Sequence, residues 1–119
     1  MSKYTDLYLL PIPDENIPAY KKMATAAAKL FMKHGALRYR EYVASDLATD
    51  WGVPFTKIVK LKAGETLIYA AVEFKSEAHR NKAMKALYKD PEMEALMPGK
   101  PLFNYKKMVY GGFKVLVDL

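Results

Sequence analysis

Hydrophobic and polar positions alternate along this chain in blocks that switch between period two and period 3.6. Tyr4 to Ile12 is rich in Tyr and Leu and predicts a first strand, stopped by Pro11 and Pro13. A helix is predicted next, because Tyr20, Met23, Ala24, Ala27, Leu30 and Phe31 recur at three- and four-residue steps. Lys21, Lys22, Lys29 and Lys33 flank or oppose that stripe. Asp14 or Asn16 can cap the helix, Pro18 suits its first turn, and Gly35 suits its end. Ala36 to Ala44 predicts a second strand, with Leu37, Tyr39, Glu41 and Val43 on one face and Arg38, Arg40 and Tyr42 on the other.

Ser45 to Pro54 is punctuated by Asp, Gly and Pro and predicts a loop that carries Trp51, the only tryptophan. Phe55 to Lys62 reads as strand-like again. With the turn Ala63-Gly64-Glu65 it predicts a hairpin into the apolar strand Thr66 to Phe74. Ser76 can cap a second helix running to about Tyr88, with Ala83, Ala86 and Leu87 on its apolar stripe. Asp90-Pro91 breaks it, and Glu92 to Met97 adds one more helical turn. The last strand is predicted from about Asn104 to the final residue. Gly111-Gly112 within it predicts a bulge or a close backbone approach.

Strand, helix, strands, helix, strand is the split β-α-β pattern of the ferredoxin-like fold. The expected class is α+β, a single domain over residues 1–119: an antiparallel sheet with two helices on one face. The other sheet face is not polar. On the Thr66–Phe74 strand, Leu67, Tyr69 and Ala71 alternate with Ile68, Ala70, Val72 and Phe74, so both sides are apolar. An antiparallel sheet with one wet face normally alternates apolar with polar residues. A homodimer that closes this face, sheet against sheet, is therefore expected.

Composition narrows the function classes. Without cysteine, thiolate metal sites, disulfides and cysteine nucleophiles are excluded, and a cytoplasmic location is expected. The opening Met1-Ser-Lys-Tyr-Thr-Asp leads into a run too short for a signal peptide, and no run reaches membrane-spanning length. The net charge of +6 raises nucleic acid as a partner. The lysines are spread, however, with no run longer than two, which argues against a phosphate-binding surface.

Candidate chemistry is sparse. Glu41 and Glu73 are carboxylates in strands and could transfer protons if both faced one cavity; pairing with Arg38, Arg40 or lysine is the plainer reading. His34 can act as a base, or simply settle the C-terminal dipole of the first helix. Two histidines and no cysteine do not make a metal site. Among nine tyrosines, Tyr8, Tyr39, Tyr69 and Tyr110 are candidates to line a pocket for a small planar ligand, with Trp51 as its lid or as an anchor into a partner subunit. Core and interface packing would use the same residues. No phosphate loop, dinucleotide fingerprint or nucleophile elbow is present, so no cofactor is expected and enzymatic activity is left open.

Several blocks also resemble a known family. They are Leu10-Pro11-Ile12-Pro13, Ala19-Tyr20-Lys21, His34-Gly35-Ala36-Leu37 and Tyr39-Arg40-Glu41. Lys57 to Lys62 followed by Glu65-Thr66, Asp90-Pro91-Glu92-Met93, Met97-Pro98 and Lys107-Met-Val-Tyr-Gly-Gly-Phe113 complete the set. Together they resemble the YbaA-like family of small bacterial proteins, from Tyr4 to Asp118. That resemblance implies a domain of unknown function in the dimeric α/β-barrel superfamily, which includes cofactor-free monooxygenases and haem-handling enzymes. It carries no catalytic residue over. Tyr42, Ala71 and Asn81 stand where the family often has Cys, Trp and Asp. The expectation that results is a dimer binding a small apolar or aromatic ligand in the barrel or the helix–sheet cleft. The alternatives are a nucleic-acid-binding module or a small cofactor-free monooxygenase-like enzyme.

Overall fold

The computed structural model describes residues 2–119. Four strands, β1 (Tyr4–Pro13), β2 (Arg38–Val43), β3 (Glu65–Phe74) and β4 (Val109–Lys114), form one sheet in the order β2-β3-β1-β4. All three pairings are antiparallel. The helices are α1 (Ile17–Lys33), α2 (Glu77–Lys89) and the short α3 (Pro91–Leu96). This is the ferredoxin-like α+β fold, an open sheet with its two long helices on one face.

The register decides which side chains meet the helices. Tyr4, Asp6, Tyr8, Leu10 and Ile12 of β1 share a face with Ile68, Ala70, Val72 and Phe74 of β3. Tyr39, Glu41 and Val43 of β2, and Tyr110 and Gly112 of β4, complete that face. The core beneath the helices is divided. One cluster joins Leu10, Ile12, Ile68, Phe103 and Tyr20 of α1; the other joins Ala36, Val72, Phe74 and Ala83 of α2. Between them one row crosses the sheet: Tyr110, Tyr8, Ala70, Glu41.

Several local expectations are corrected. Phe55–Lys62 is not a strand: Phe55–Lys57 is a single 3-10 turn, and the segment belongs to a long loop between β2 and β3. The physical reason is that β3 has no free edge, since β1 takes one and β2 the other. This loop inserts Val59, 3% exposed, and brings Leu47 and Phe55 against Leu9, Leu67 and Tyr69. It thus covers one end of the sheet face that was expected to lack any cover within the chain. The last strand spans only Val109–Lys114; Tyr105–Lys107 forms a turn, and beyond Lys114 a Val115 N–H to Lys3 C=O bond is the remaining ladder contact. Neither Asp14 nor Asn16 caps α1 by its side chain; Asn16 instead donates to the Leu102 carbonyl at 2.8 Å.

Other local signals hold. The Ser76 hydroxyl accepts from the His79 N–H at the start of α2. Gly35 has φ of 107°, and the His79 ring lies where a β-carbon would stand, 2.6 Å away. Gly112 marks a close approach rather than a bulge: a β-carbon there would lie 2.1 Å from the Tyr4 hydroxyl oxygen. The rest of the open face is mixed: Tyr42, Val109 and Phe113 stand exposed on it, beside a polar patch of Thr5, Arg38, Arg40 and Glu73.

Candidate functional site

A cleft of about 540 Å³ lies between α1 and the edge strand β2. Ala24 and Ala28 point into it from α1, and these small side chains leave it open. Its walls also include Ile17, Val43 and Ile68. The one carboxylate in this lining is Glu41. The Tyr20 hydroxyl donates to Glu41 Oε1, and the Tyr39 hydroxyl donates to Oε2 at 2.5 Å. Both phenols are pushed well above the usual tyrosine range, first by burial and further by the Glu41 carboxylate. They therefore stay protonated at neutral pH and hold the carboxylate as donors. Each carboxylate oxygen has further acceptor capacity for a ligand donor.

A second polar cluster lies on the same sheet face beside β4. Asp6 is fully buried, and Tyr110 donates to its Oδ1 at 3.4 Å. Arg80 Nε stands 3.8 Å from Asp6 Oδ2, and neither atom has a hydrogen-bond partner among the described residues. Arg80 donates instead to the Tyr4 hydroxyl at 2.8 Å, with its guanidinium 4.7 Å above that ring. Burial raises the Asp6 carboxyl above its ordinary range, opposed by Arg80 and by the Tyr110 bond. This cluster fastens α2 to β1 and β4.

The candidates from sequence therefore separate. Glu41 and Tyr39 come together in the α1–β2 cleft. Glu73 lies on the opposite sheet face, in register with Arg38, so the two glutamates share no cavity. Tyr69 is also on that face, against Tyr42 at 5.6 Å between rings. Tyr110 stacks on Tyr8 at 4.8 Å, outside the cleft lining. Trp51 is 91% exposed and does not line the cleft. His34 caps the end of α1, with Nε2 2.7 Å from Asp90 Oδ2, and does not line the cleft either. Asp90 also accepts the Glu92 N–H and lies 3.3 Å from Lys33; its carboxyl is held down to about 2, chiefly by the His34 bond. Tyr20, Asp6 and Arg80 were missed. Tyr20 read as one more stripe residue, whereas an Asp midway along the inward row Tyr4, Asp6, Tyr8 was a visible signal.

A family described as a protein of unknown function, DUF1428, matches residues 3–104. The chain belongs to the DUF1428 family. Uncharacterized protein YbaA of Escherichia coli strain K12 is 34% identical over 116 residues, covering 98% of both chains. Among solved structures, the fold is similar to a dimeric ferredoxin-like protein from an uncultured marine organism. That protein has a TM-score of 0.54 and 16% identity, over 100% of this chain and 98% of the other. It is also similar to SnoaB, a cofactor-independent oxygenase from Streptomyces nogalater. There the TM-score is 0.62 and the identity 13%, over 100% of this chain and 98% of SnoaB. These likenesses show the fold. Of the positions where the chain departs from the YbaA-like pattern, Tyr42 and Ala71 stand on the open sheet face. No helix among the described residues is long and apolar enough to cross a membrane.

Proposed function

We propose that this DUF1428 member binds a small apolar or aromatic ligand in the α1–β2 cleft and works as a homodimer closed through its open sheet face. One observation carries the ligand reading: Glu41, with a tyrosine hydroxyl on each oxygen, faces an otherwise largely apolar cleft. An apolar site with a few convergent polar groups is the usual make-up of a small-molecule pocket. The dimer reading rests on the exposed Tyr42, Val109 and Phe113 and on the likeness to a dimeric ferredoxin-like protein. The cytoplasmic location expected from composition stays with this proposal.

The test is thermal denaturation across a panel of aromatic and apolar compounds, with an Ala24→Leu variant alongside. A ligand at a hundred times its Kd stabilises by about 2.7 kcal/mol, and filling the cleft with leucine removes that shift. A panel without any shift, or one whose shifts survive Ala24→Leu, refutes the cleft. Sedimentation should give twice the 13.5 kDa chain mass. Phe113→Glu should return the particle to one chain, and an unchanged dimer in that variant rejects the open face as the interface.

A second reading, cofactor-free catalysis, is favoured by the same carboxylate and by the fold shared with SnoaB. Glu41 would accept the proton of a phenolic or enolic ligand, while Tyr20 and Tyr39 hold the carboxylate in place. Turnover of a bound compound without added cofactor, lost in Glu41→Gln, supports it; turnover that survives the substitution removes it.

A further inference from the structure

We infer that the cleft takes a hydroxylated aromatic carboxylate, with its hydroxyl on Glu41 and its carboxylate on Lys21. This inference rests on the cleft being a ligand site and assigns the class of ligand.

The cleft has two polar poles and an apolar middle. Glu41 is its only carboxylate, and Lys21 is its only cation. A carboxylate with a phenol on each oxygen favours a ligand that donates a hydrogen bond, and it repels an anion placed at the same point. Lys21 lies one residue beyond Tyr20 on α1, exposed at the solvent edge of the cleft. It forms no ion pair among the described residues. Lys33, further along the same helix, pairs with Asp90 and Glu92. Lys21 therefore offers an uncommitted ammonium group within side-chain reach of these apolar walls.

Between the poles, Ala24 and Ala28 lie on the helix side and Tyr39 on the strand side, while the Tyr42 ring is turned to the other sheet face, against Tyr69. Small side chains opposite a flat one suit a planar body, and about 540 Å³ admits two fused rings. A ligand with a donor at its inner end and an anion at its outer end matches both poles. Reversing it would set its anion against Glu41, so the two charges also fix the orientation.

The test uses three probes of one shape, 6-hydroxy-2-naphthoate, 2-naphthol and 2-naphthoate, measured by calorimetry on the full chain. Hydroxynaphthoate should bind tightest. An ion pair at a partly exposed position is worth about fivefold in affinity, so 2-naphthol should bind about fivefold more weakly. Lys21→Gln should erase that difference by weakening hydroxynaphthoate alone, and Lys21→Glu should weaken it further still. Glu41→Gln should weaken both hydroxylated probes and spare 2-naphthoate. Raising the salt concentration should weaken hydroxynaphthoate but not 2-naphthol.

Equal binding of hydroxynaphthoate and 2-naphthol to the unmodified chain overturns the inference. So does a Lys21→Gln variant that keeps their ratio. In either case a loss of binding in Ala24→Leu would leave the cleft itself standing as an apolar site. Failure of all three probes while other panel compounds shift the melting point also rejects this ligand class and spares the cleft.

Discussion

Gly112→Ala should cost more stability than its size suggests, because the added methyl strikes the Asp6–Arg80 anchor through Tyr4. The β-carbon would stand 2.1 Å from the Tyr4 hydroxyl oxygen and 2.7 Å from two ring carbons. Tyr4 is only 6% exposed, and its hydroxyl is held by Arg80. Displacing its ring breaks the 2.8 Å bond from Arg80 and the 4.7 Å stacking of the guanidinium. Overpacking alone costs about 1–3 kcal/mol. Loss of a hydrogen bond to a charged group adds about 1.5–3 kcal/mol. Partial relaxation makes the two overlap, so a total of about 3 kcal/mol is expected, some 10–15 °C in Tm for a domain of this size. Urea denaturation at neutral pH measures it. Gly111→Ala is the neighbouring control. Its methyl stands on the other sheet face, meets only the Phe113 ring at 3.6 Å within the subunit, and should change stability by less than about 1 kcal/mol. If Gly112→Ala and Gly111→Ala cost the same, the Tyr4 contact does not hold α2 in place and the reasoning fails.

Acid should loosen the junction between α1 and α3. The Asp90 carboxyl is held at about 2 in the fold against an ordinary value near 4, so its stabilising effect is present above about pH 4 and is lost as the pH falls towards about 2. Asp90→Asn should flatten that limb of the stability curve, and an unchanged limb contradicts the assignment. Asp6 has the opposite sign. Its raised folded value favours the protonated fold, a contribution that is full below about pH 4 and lost as the pH climbs through the folded value. Asp6→Asn should therefore gain on the unmodified chain as the pH rises from about 4; a difference independent of pH would show that burial does not govern this group.

Much of the fold was legible because its signals are local. The Tyr- and Leu-rich run of β1, the continuous apolar run of β3, the α1 stripe ending at Gly35, the Ser76 cap and the Asp90-Pro91 break each depend on a few adjacent residues. Phe55–Lys62 misled because its strand-like mix of apolar residues and lysines leads into β3, which is already paired on both edges. The tail after Lys114 misled for a related reason: its apolar character suits a strand, but β1 pairs with β4 only from Tyr4 to Leu9. The site was half legible. Parity put Tyr39 and Glu41 on one strand face, and that survives. Separating Glu41 from Glu73 needed the β2–β3 register, which sets Glu73 opposite Arg38 and Glu41 opposite Ala70. Pairing Asp6 with Arg80 needed a contact between residues far apart in the chain, which no local pattern carries.

The row Tyr110, Tyr8, Ala70, Glu41 bears on why the two polar clusters do different work. A sheet face selected for stability alone would fill this row with aliphatic side chains and join the two core clusters. Instead the face carries a carboxylate near each end, Asp6 beside Tyr8, where burial disfavours charge, and Glu41 at β2. At the β4 end the carboxylate is sealed beneath Tyr4 and against Arg80, so only protein atoms can use it. At the β2 end, Ala24 and Ala28 keep the helix surface back, and both tyrosines grip the carboxylate from the side without covering it. Burial with a cationic partner makes a fastening; an accessible carboxylate held by neutral donors over an apolar floor makes a recognition surface. On the proposed ligand reading, that contrast leaves Asp6 to hold the domain together and gives Glu41 to the ligand. It predicts that substitutions at Asp6 are read in stability, and those at Glu41 in binding.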